Sequence, residues 1–464
     1  MADVVQLQAG STGAFKKVMR GLDMTLFTVC AILVIDQLAA SAAIGPQAVF
    51  WWIFTMVFFF VPYGLITAEL GSSYPDEGGI YAWVKRAFGP RWGGRTAWLW
   101  WINVALWQPS VFIIFAGILS ALFFPSMTLW MKIGIAIALT WATVWVNVIA
   151  LDVGKWVPNA GAVFKATIML VIGFGGFWYA SRHGVANSFT WSSMAPSWGA
   201  PLAFLPVIVY NFMGFELMSG AGAEMKNPGR DVPVAIVVAG LLIAAFYLLG
   251  TVGILIALPL DQINVVSGIV DTFHKLFGDS DTGAAVTVAL GCMALYSFFA
   301  NMVTWTIGAN RSAAEAANQG DLPMLFARLH AVHQTPVAAA VVTGVVTTVV
   351  IVIYGIMAKS AEDLFWSLYA FSSVVFLLPY LAMFFAFRKL RLADGDRPRP
   401  YRVPGGNGVA TLLVAICSLF ILQAIVFFIY HPNDFKWSYA LPIIIGVAIT
   451  VAIGEVLVRL GKKA

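Results

Sequence analysis

Charge is scarce in this chain of 464 residues: Asp, Glu, Lys and Arg together make up 11%. Soluble domains carry roughly 25% charged residues. A water-exposed surface is therefore excluded, and with it the set of soluble domains that length alone would suggest. Histidine and cysteine are also few, five and three respectively. Cys30, Cys292 and Cys417 lie inside apolar runs. They have neither disulfide nor metal spacing and read as small buried hydrophobes. No His-Glu-x-x-His, cysteine cluster or nucleophile elbow occurs, and His330-x-x-His333 falls on a short polar connection. An enzyme reading thus has no support, and no cofactor or metal is expected. No repeated filter sequence points to an ion channel.

What is present is apolar. Hydrophobic residues make up 60% of the chain, with 18 Trp and 35 Phe, many at the edges of apolar runs. Aromatic rings at such edges fit the two interfaces of a bilayer. Crossing the hydrocarbon takes about 20 apolar residues at about 1.5 Å each. Twelve runs qualify, at 24–44, 48–70, 97–123, 128–150, 160–180, 201–222, 234–257, 284–309, 336–356, 365–387, 408–430 and 438–458. The first follows Lys16, Lys17 and Arg20 and ends near Ala40-Ser41-Ala42, as a signal peptide would. It is too long for an h-region, so it reads as a transmembrane helix.

The net charge of +5 matters less than its distribution. With a cytosolic N-terminus, the twelve spans place 22 of the 27 Lys and Arg on inner segments, Lys155 and Lys165 among them. Only Lys132, Arg182, Lys275, Lys359 and Lys436 fall outside. A missed or invented span would invert every later loop, so the positive-inside rule supports twelve helices with both termini in the cytosol. The cluster from Arg388 to Arg402 reads as a topology anchor touching anionic lipid. The sequon Asn310-Arg311-Ser312 faces the cytosol in this topology and is discounted. Basic charge here implies no nucleic-acid partner.

Acids inside spans are costly and mark function. Asp36 lies in span 1 and Glu216 mid-span in span 6. Glu69 is near the inner end of span 2, where a structural contact to cations of its own loop suffices, and Glu455 reads as interfacial. Glu216 sits within Tyr210-Asn211-Phe212-Met213-Gly214-Phe215-Glu216-Leu217-Met218-Ser219-Gly220-Ala221-Gly222. Glycines there weaken the helix, and freed backbone groups survive at membrane depth only beside a cavity or inside protein. Spans 1 and 6 are five helices apart, as the first helices of two inverted five-helix repeats would be.

Several segments carry a family resemblance. They are Ala68-Glu69-Leu70, Tyr74-Pro75-Asp76-Glu77-Gly78-Gly79-Ile80-Tyr81-Ala82-Trp83, Phe88-Gly89-Pro90-Arg91-Trp92-Gly93, and Glu224-Met225-Lys226-Asn227-Pro228-Gly229-Arg230-Asp231-Val232-Pro233. Further matches are Asn310-Arg311-Ser312 through Gly320-Asp321-Leu322-Pro323, and Tyr401-Arg402-Val403-Pro404-Gly405-Gly406. With these the chain resembles the amino acid–polyamine–organocation (APC) superfamily, most like bacterial glutamate:GABA antiporter-type permeases. The resemblance implies an all-α polytopic membrane protein of the cytoplasmic membrane, with a five-plus-five inverted repeat and two additional helices. The corresponding divisions are a cytosolic segment 1–22, a first repeat 23–183, a second repeat 184–404, and 405–464 for the last two helices and cytosolic C-terminus.

The resemblance also implies a secondary active transporter of an amino acid or derived amine, working by alternating access through exchange or proton coupling. A polyamine or other organic-cation transporter is the alternative. Gly214-Phe215-Glu216 looks like the Gly-x-Glu of amino-acid and amine exchangers, which makes Glu216 the candidate coupling residue. Trp305 resembles an aromatic on the transport path of the glutamate:GABA type. Trp107, Phe212, Phe215 and Tyr369 are further candidates, with core packing an equal reading for each. The usual glycine break of span 1 is replaced by Thr28-Val29-Cys30-Ala31-Ile32, with Asp36-Gln37 one turn outward. Cys30, Ala31, Asp36, Gln37 and Gly214 complete the candidate substrate contacts. An anionic Asp36 would attract an ammonium group and disfavour a dianion. The expected partners are a small-molecule substrate, protons as the candidate coupling ion, and the bilayer; oligomeric state is left open.

Overall fold

A computed structural model describes residues 28–29, 32–35, 37–75, 78–149, 156–197, 205–216, 228–430 and 435–461. Cys30, Ala31, Asp36, the segment 1–22 and the glycines Gly220 and Gly222 lie outside the described residues, as do Lys16, Lys17, Lys155, Lys462 and Lys463.

Among the described residues ten helices are long and apolar enough to cross a membrane. In chain order, with the short elements between them, the first half begins with α1 (Leu38–Ala42) and α2 (Ala48–Ser73). It continues with α3 (Ile80–Phe88), α4 (Pro90–Phe123), α5 (Leu129–Ile149) and α6 (Trp156–His183). The second half holds α7 (Leu205–Asn211), α8 (Pro228–Ala257), α9 (Gly268–Phe277) and α10 (Asp281–Asn318). It ends with α11 (Val337–Met357), α12 (Ala361–Ala393), α13 (Gly406–Ile429) and α14 (Trp437–Gly461). The ten long helices coincide with ten of the twelve apolar runs. Two are much longer than their runs. α10 has 38 residues, about 57 Å at the helical rise, and it carries Arg311 and Glu315 beyond the apolar stretch.

Burial sorts the bundle. In α4 and α12 the most apolar stretch is 72% and 78% buried, against 22% in α14. α4 and α12 therefore form the centre, packed on each other and on α10 and α13, while α6 packs on α8. The α6–α8 contact is close because it is built from glycine: a Cβ on Gly253 would stand 2.3 Å from the carbonyl oxygen of Ile172, and one on Gly176 2.8 Å from the Cα of Gly253. Small residues of this kind let membrane helices approach along their backbones.

Inside α4, Pro109 has no N–H to give the carbonyl of Ala105, four residues earlier. Thr347 of α11 supplies the missing donor, its Oγ1 lying 2.8 Å from that oxygen. Polar residues knit the helices elsewhere too. Asn310 of α10 is buried, accepting from Trp101 Nε1 at 3.0 Å and Thr343 Oγ1 at 3.1 Å. The sequon asparagine is thus an internal tie between helices.

Three expectations need correction. Cys417 is buried, but Cys292 is exposed on the outer side of α10. Lys165, counted with the inner-segment cations, is buried within α6 and donates to Asn301 Oδ1 of α10 at 2.7 Å. Glu69 binds no cation of its own loop. It pairs with Arg391 and, at 3.2 Å, with Arg399, and accepts from the Val403 N–H at 2.7 Å. Glu69 and Arg391 are both buried, at 0% and 1% side-chain exposure, so this half of the Arg388–Arg402 cluster turns into the protein rather than toward lipid.

Candidate functional site

Two stretches of non-helical backbone face each other inside the bundle. The first is Leu33–Val34, with a bend at Ile35, ahead of α1. The second follows α7, where Met213 and Gly214 leave the helix and Gly214 takes φ +113°, a conformation open to glycine and strained for other residues. Each stretch exposes backbone groups that must be satisfied within the protein, and a tyrosine hydroxyl answers at each. Tyr247 of α8 accepts from the Val34 N–H at 2.9 Å and lies 3.1 Å from the carbonyl oxygens of Ile32 and Val34. Tyr63 of α2 accepts from the N–H groups of Gly214 at 3.3 Å and Phe215 at 3.1 Å.

The Tyr63 hydroxyl then gives its own proton to Glu216 Oε2, while Tyr380 of α12 donates to Oε1 at 2.6 Å. Glu216 is 2% exposed. Its carboxyl is therefore held between two phenols contributed by different helices, immediately after the break. Gly79, at φ +52°, lies beside it: a Cβ there would be in ordinary contact with the Glu216 carbonyl oxygen, at 3.4 Å. The break is thus linked to the loop before α3.

Between the two irregular stretches is a small cavity lined by Ile32, Val34, Trp107, Tyr210, Asn211, Met213, Trp305 and Phe376. Four of these are aromatic. Trp107 meets Trp305 edge-on at 5.6 Å between centroids, and Tyr210 lies 5.2 Å from Phe376. The rings come from α4, α7, α10 and α12, so four helices must hold register for the box to exist. Its free volume is about 20 Å³, enough for one water-sized group. Anything larger requires the rings to move. Toward Glu216 the box is closed by Trp100, whose ring is 5.5 Å from Phe376 and 6.4 Å from Tyr380.

Beyond Glu216, at the end of the bundle rich in Lys and Arg, side chains close the path again. Tyr74 is flanked by the guanidinium groups of Arg86 at 5.1 Å and Arg397 at 4.3 Å, and its hydroxyl donates to Asp394 at 2.9 Å. Lys85 pairs with Asp321, which also accepts from the Tyr81 hydroxyl at 2.6 Å. Burial, reinforced by the bond to Asp321, pushes the Tyr81 pKa far up, so this phenol stays a proton donor.

Of the residues singled out in the sequence, Trp107 and Trp305 line the cavity and Gly214 forms the break. Phe212 and Phe215 sit behind the break, Phe212 on Trp52 and Phe60 and Phe215 on Phe60 and Tyr63. Tyr369 packs on the far side of Tyr210 at 5.2 Å. Gln37 is fully buried beside α1, its backbone carbonyl accepting from Ser41 Oγ at 2.9 Å. Sequence reasoning passed over Tyr210, Asn211 and Met213, although they stand in the glycine-rich stretch it examined. It also passed over Phe376, two helical turns beyond Tyr369, and Tyr63, Tyr247 and Tyr380, which carry no motif.

Ten membrane-length helices among the described residues, two stretches of non-helical backbone and a closed internal cavity between them mark a polytopic membrane transporter. Residues 21–449 match the amino acid permease family. The chain belongs to that family. It is 35% identical over 437 residues to the probable agmatine/putrescine antiporter AguD of Lactococcus lactis, covering 94% of this chain and 93% of that protein. An uncharacterised transporter of Legionella pneumophila, lpg1691, is 32% identical over 90% of this chain and 91% of its own length. The glutamate/gamma-aminobutyrate antiporter of Lactococcus lactis is 21% identical over 94% and 89%.

Proposed function

We propose that the protein exchanges an amino-acid-derived amine of the agmatine or putrescine kind across the cytoplasmic membrane. The observation that carries this reading is the aromatic box. Ring faces attract cations, and Trp107, Tyr210, Trp305 and Phe376 enclose a space without a cationic side chain among the described residues that line it. A substrate bearing an ammonium or guanidinium fits such a box; a dianion does not. The 35% identity to an agmatine/putrescine antiporter over nearly the full length supports the same substrate class. Asp36, close in sequence to the first irregular stretch, would add attraction for a cation.

In this reading Glu216 is the coupling group. Its two tyrosine partners lie on α2 and α12, so a change in its protonation alters bonds that join the break to two other helices. Trp107 and Trp305 contact the substrate, while Phe212, Phe215 and Tyr369 shape the box from behind. Gly214 forms the second break and Gln37 stands at the start of α1; Cys30 and Ala31, like Asp36, are proposed substrate contacts from their place in the sequence alone.

The architecture in this proposal is twelve helices in a five-plus-five inverted repeat with two additional helices, with both termini cytosolic. The tyrosine pair supports the repeat. α2 and α8 would be the second and seventh spans, five apart, and each donates one phenol to the opposite broken segment. Alternating access then moves the amine past the box, with the two breaks as the points where helices can swing.

The test is counterflow in proteoliposomes. Vesicles loaded with putrescine are expected to take up labelled agmatine or putrescine, and empty vesicles are not. Uptake driven by neutral amino acids but not by amines would overturn the reading.

A further inference from the structure

We propose that the side-chain oxygen of Asn211 is the acceptor that engages the substrate's cationic N–H group and sets the preference of the site for amines; this rests on the amine reading above. Asn211 is the last residue of α7, 2% exposed, and lines the cavity. The orientation of its amide follows from its neighbours. The Ser41 hydroxyl has one proton, and it goes to the Gln37 carbonyl at 2.9 Å. Ser41 Oγ can then only accept, so the group facing it at 3.2 Å must be the amide nitrogen of Asn211. The amide oxygen is thereby turned away from Ser41, and it has no hydrogen-bond partner among the described residues.

A buried carbonyl oxygen left unpaired costs free energy, and a ligand that donates to it recovers that cost. The rest of the cavity wall is aliphatic, thioether or aromatic, Tyr210 being the other residue with a side-chain oxygen. The cavity also holds only a water-sized group, which is the size of an ammonium head. The two parts of the site therefore do different work. The rings attract positive charge regardless of N–H groups, whereas Asn211 rewards a donor pointing at one oxygen. Sites built around such a hydrogen bond reject analogues that lack the donor.

Asn211→Leu removes the acceptor at similar size, and Asn211→Asp keeps an acceptor but gives up the amide donor to Ser41. The assay is exchange of labelled putrescine in proteoliposomes, with KM and the maximal rate measured separately for each variant. Asn211→Leu is expected to raise KM about tenfold, the loss of one charge-assisted bond, with a smaller change in maximal rate. Asn211→Asp is expected to bind at least as tightly as the wild type. A purely structural Asn211 would instead suffer in both variants, since both lose the bond to Ser41. Unchanged KM in Asn211→Leu, or equal damage in Asn211→Asp, overturns the proposal. If the leucine variant does not fold, the aspartate variant decides alone, with tight binding supporting the proposal and loss overturning it. A wild-type protein that exchanges no amine would overturn the amine reading itself, and this inference with it.

Discussion

The Tyr63 hydroxyl is the most informative single atom to remove, because three groups depend on it. Tyr63→Phe deletes the acceptor for the N–H groups of Gly214 and Phe215 and one of the two donors to Glu216. The ring stays, and with it the stacking on Phe59 at 5.9 Å. Leaving a buried donor without a partner costs about 1–3 kcal/mol, so two such donors together with the lost carboxyl bond amount to about 3 kcal/mol after local relaxation. That cost falls on the broken segment rather than on the bundle as a whole. Opening of the segment is expected to become about a hundredfold easier, since 1.4 kcal/mol is a factor of ten. Hydrogen exchange of the peptide spanning Tyr210 to Glu216, followed by mass spectrometry in nanodiscs, reads this directly. The wild-type amides of Gly214 and Phe215 are expected to exchange slowly and those of the variant about a hundredfold faster. Peptides from α4 and α12 serve as the unchanged reference. Exchange within twofold of wild type at the break, in a variant that remains folded, would refute the claim that Tyr63 holds it.

Glu69→Gln strands Arg391 and Arg399 beside a buried neutral amide, and breaking a buried pair costs about 3–5 kcal/mol. A large drop in melting temperature is expected, partly recovered in Glu69→Leu combined with Arg391→Met; equal stability of Glu69→Gln and wild type would contradict the burial of the pair. Glu216→Gln keeps the size of the side chain but cannot ionise. Uptake in proteoliposomes is expected to lose its pH dependence while some substrate binding persists, and an unaltered pH profile would remove Glu216 from coupling. Asp36→Asn is expected to weaken cationic substrates more than neutral ones, measured by competition. Equal loss for both would make Asp36 a structural residue.

The helical framework was legible in the sequence because the bilayer imposes it: a span must be apolar and about 20 residues long, and both limits can be counted. Lengths were less legible. The helix carrying Arg311 and Glu315 continues well past its apolar run, since hydropathy ends where the hydrocarbon ends and hydrogen bonding does not. Partners were hardest to read. Glu69 was recognised as structural, yet its cations, Arg391 in the last turn of α12 and Arg399 in the loop after it, lie 322 and 330 positions further along the chain, a distance over which local patterning carries no information. Lys165 looked like a marker of the inner surface because a cation near a helix end normally is, and its partner Asn301 has no signature of its own. Of the cavity lining, Trp305 was singled out through the family resemblance and Trp107 as a further aromatic candidate, whereas Phe376 was passed over in favour of Tyr369. The two differ by seven residues, so they share a helix face, and only the depth of the cavity separates them. Tyr63 and Tyr247, which satisfy the non-helical stretches, and Tyr380, which holds Glu216, could not be found from type alone, since a buried phenol in a membrane helix is ordinary until its partner is known.

The bond from Thr347 to the Ala105 carbonyl ties together two positions that local sequence would treat as independent. Pro109 creates an acceptor without a donor, and Thr347, on another helix, is the remedy. The proline is tolerable there only in the presence of the threonine. An alignment of this family should therefore record them as a covarying pair, with a hydroxyl at the second position wherever proline occupies the first and freer choice where it does not. Pro109→Ala alone would restore the helix's own bond and release Thr347 from its partner. Thr347→Val alone would leave the proline's defect uncovered in the most buried part of the bundle. The order in which the two substitutions could have been acquired is thereby constrained: the threonine first, then the proline.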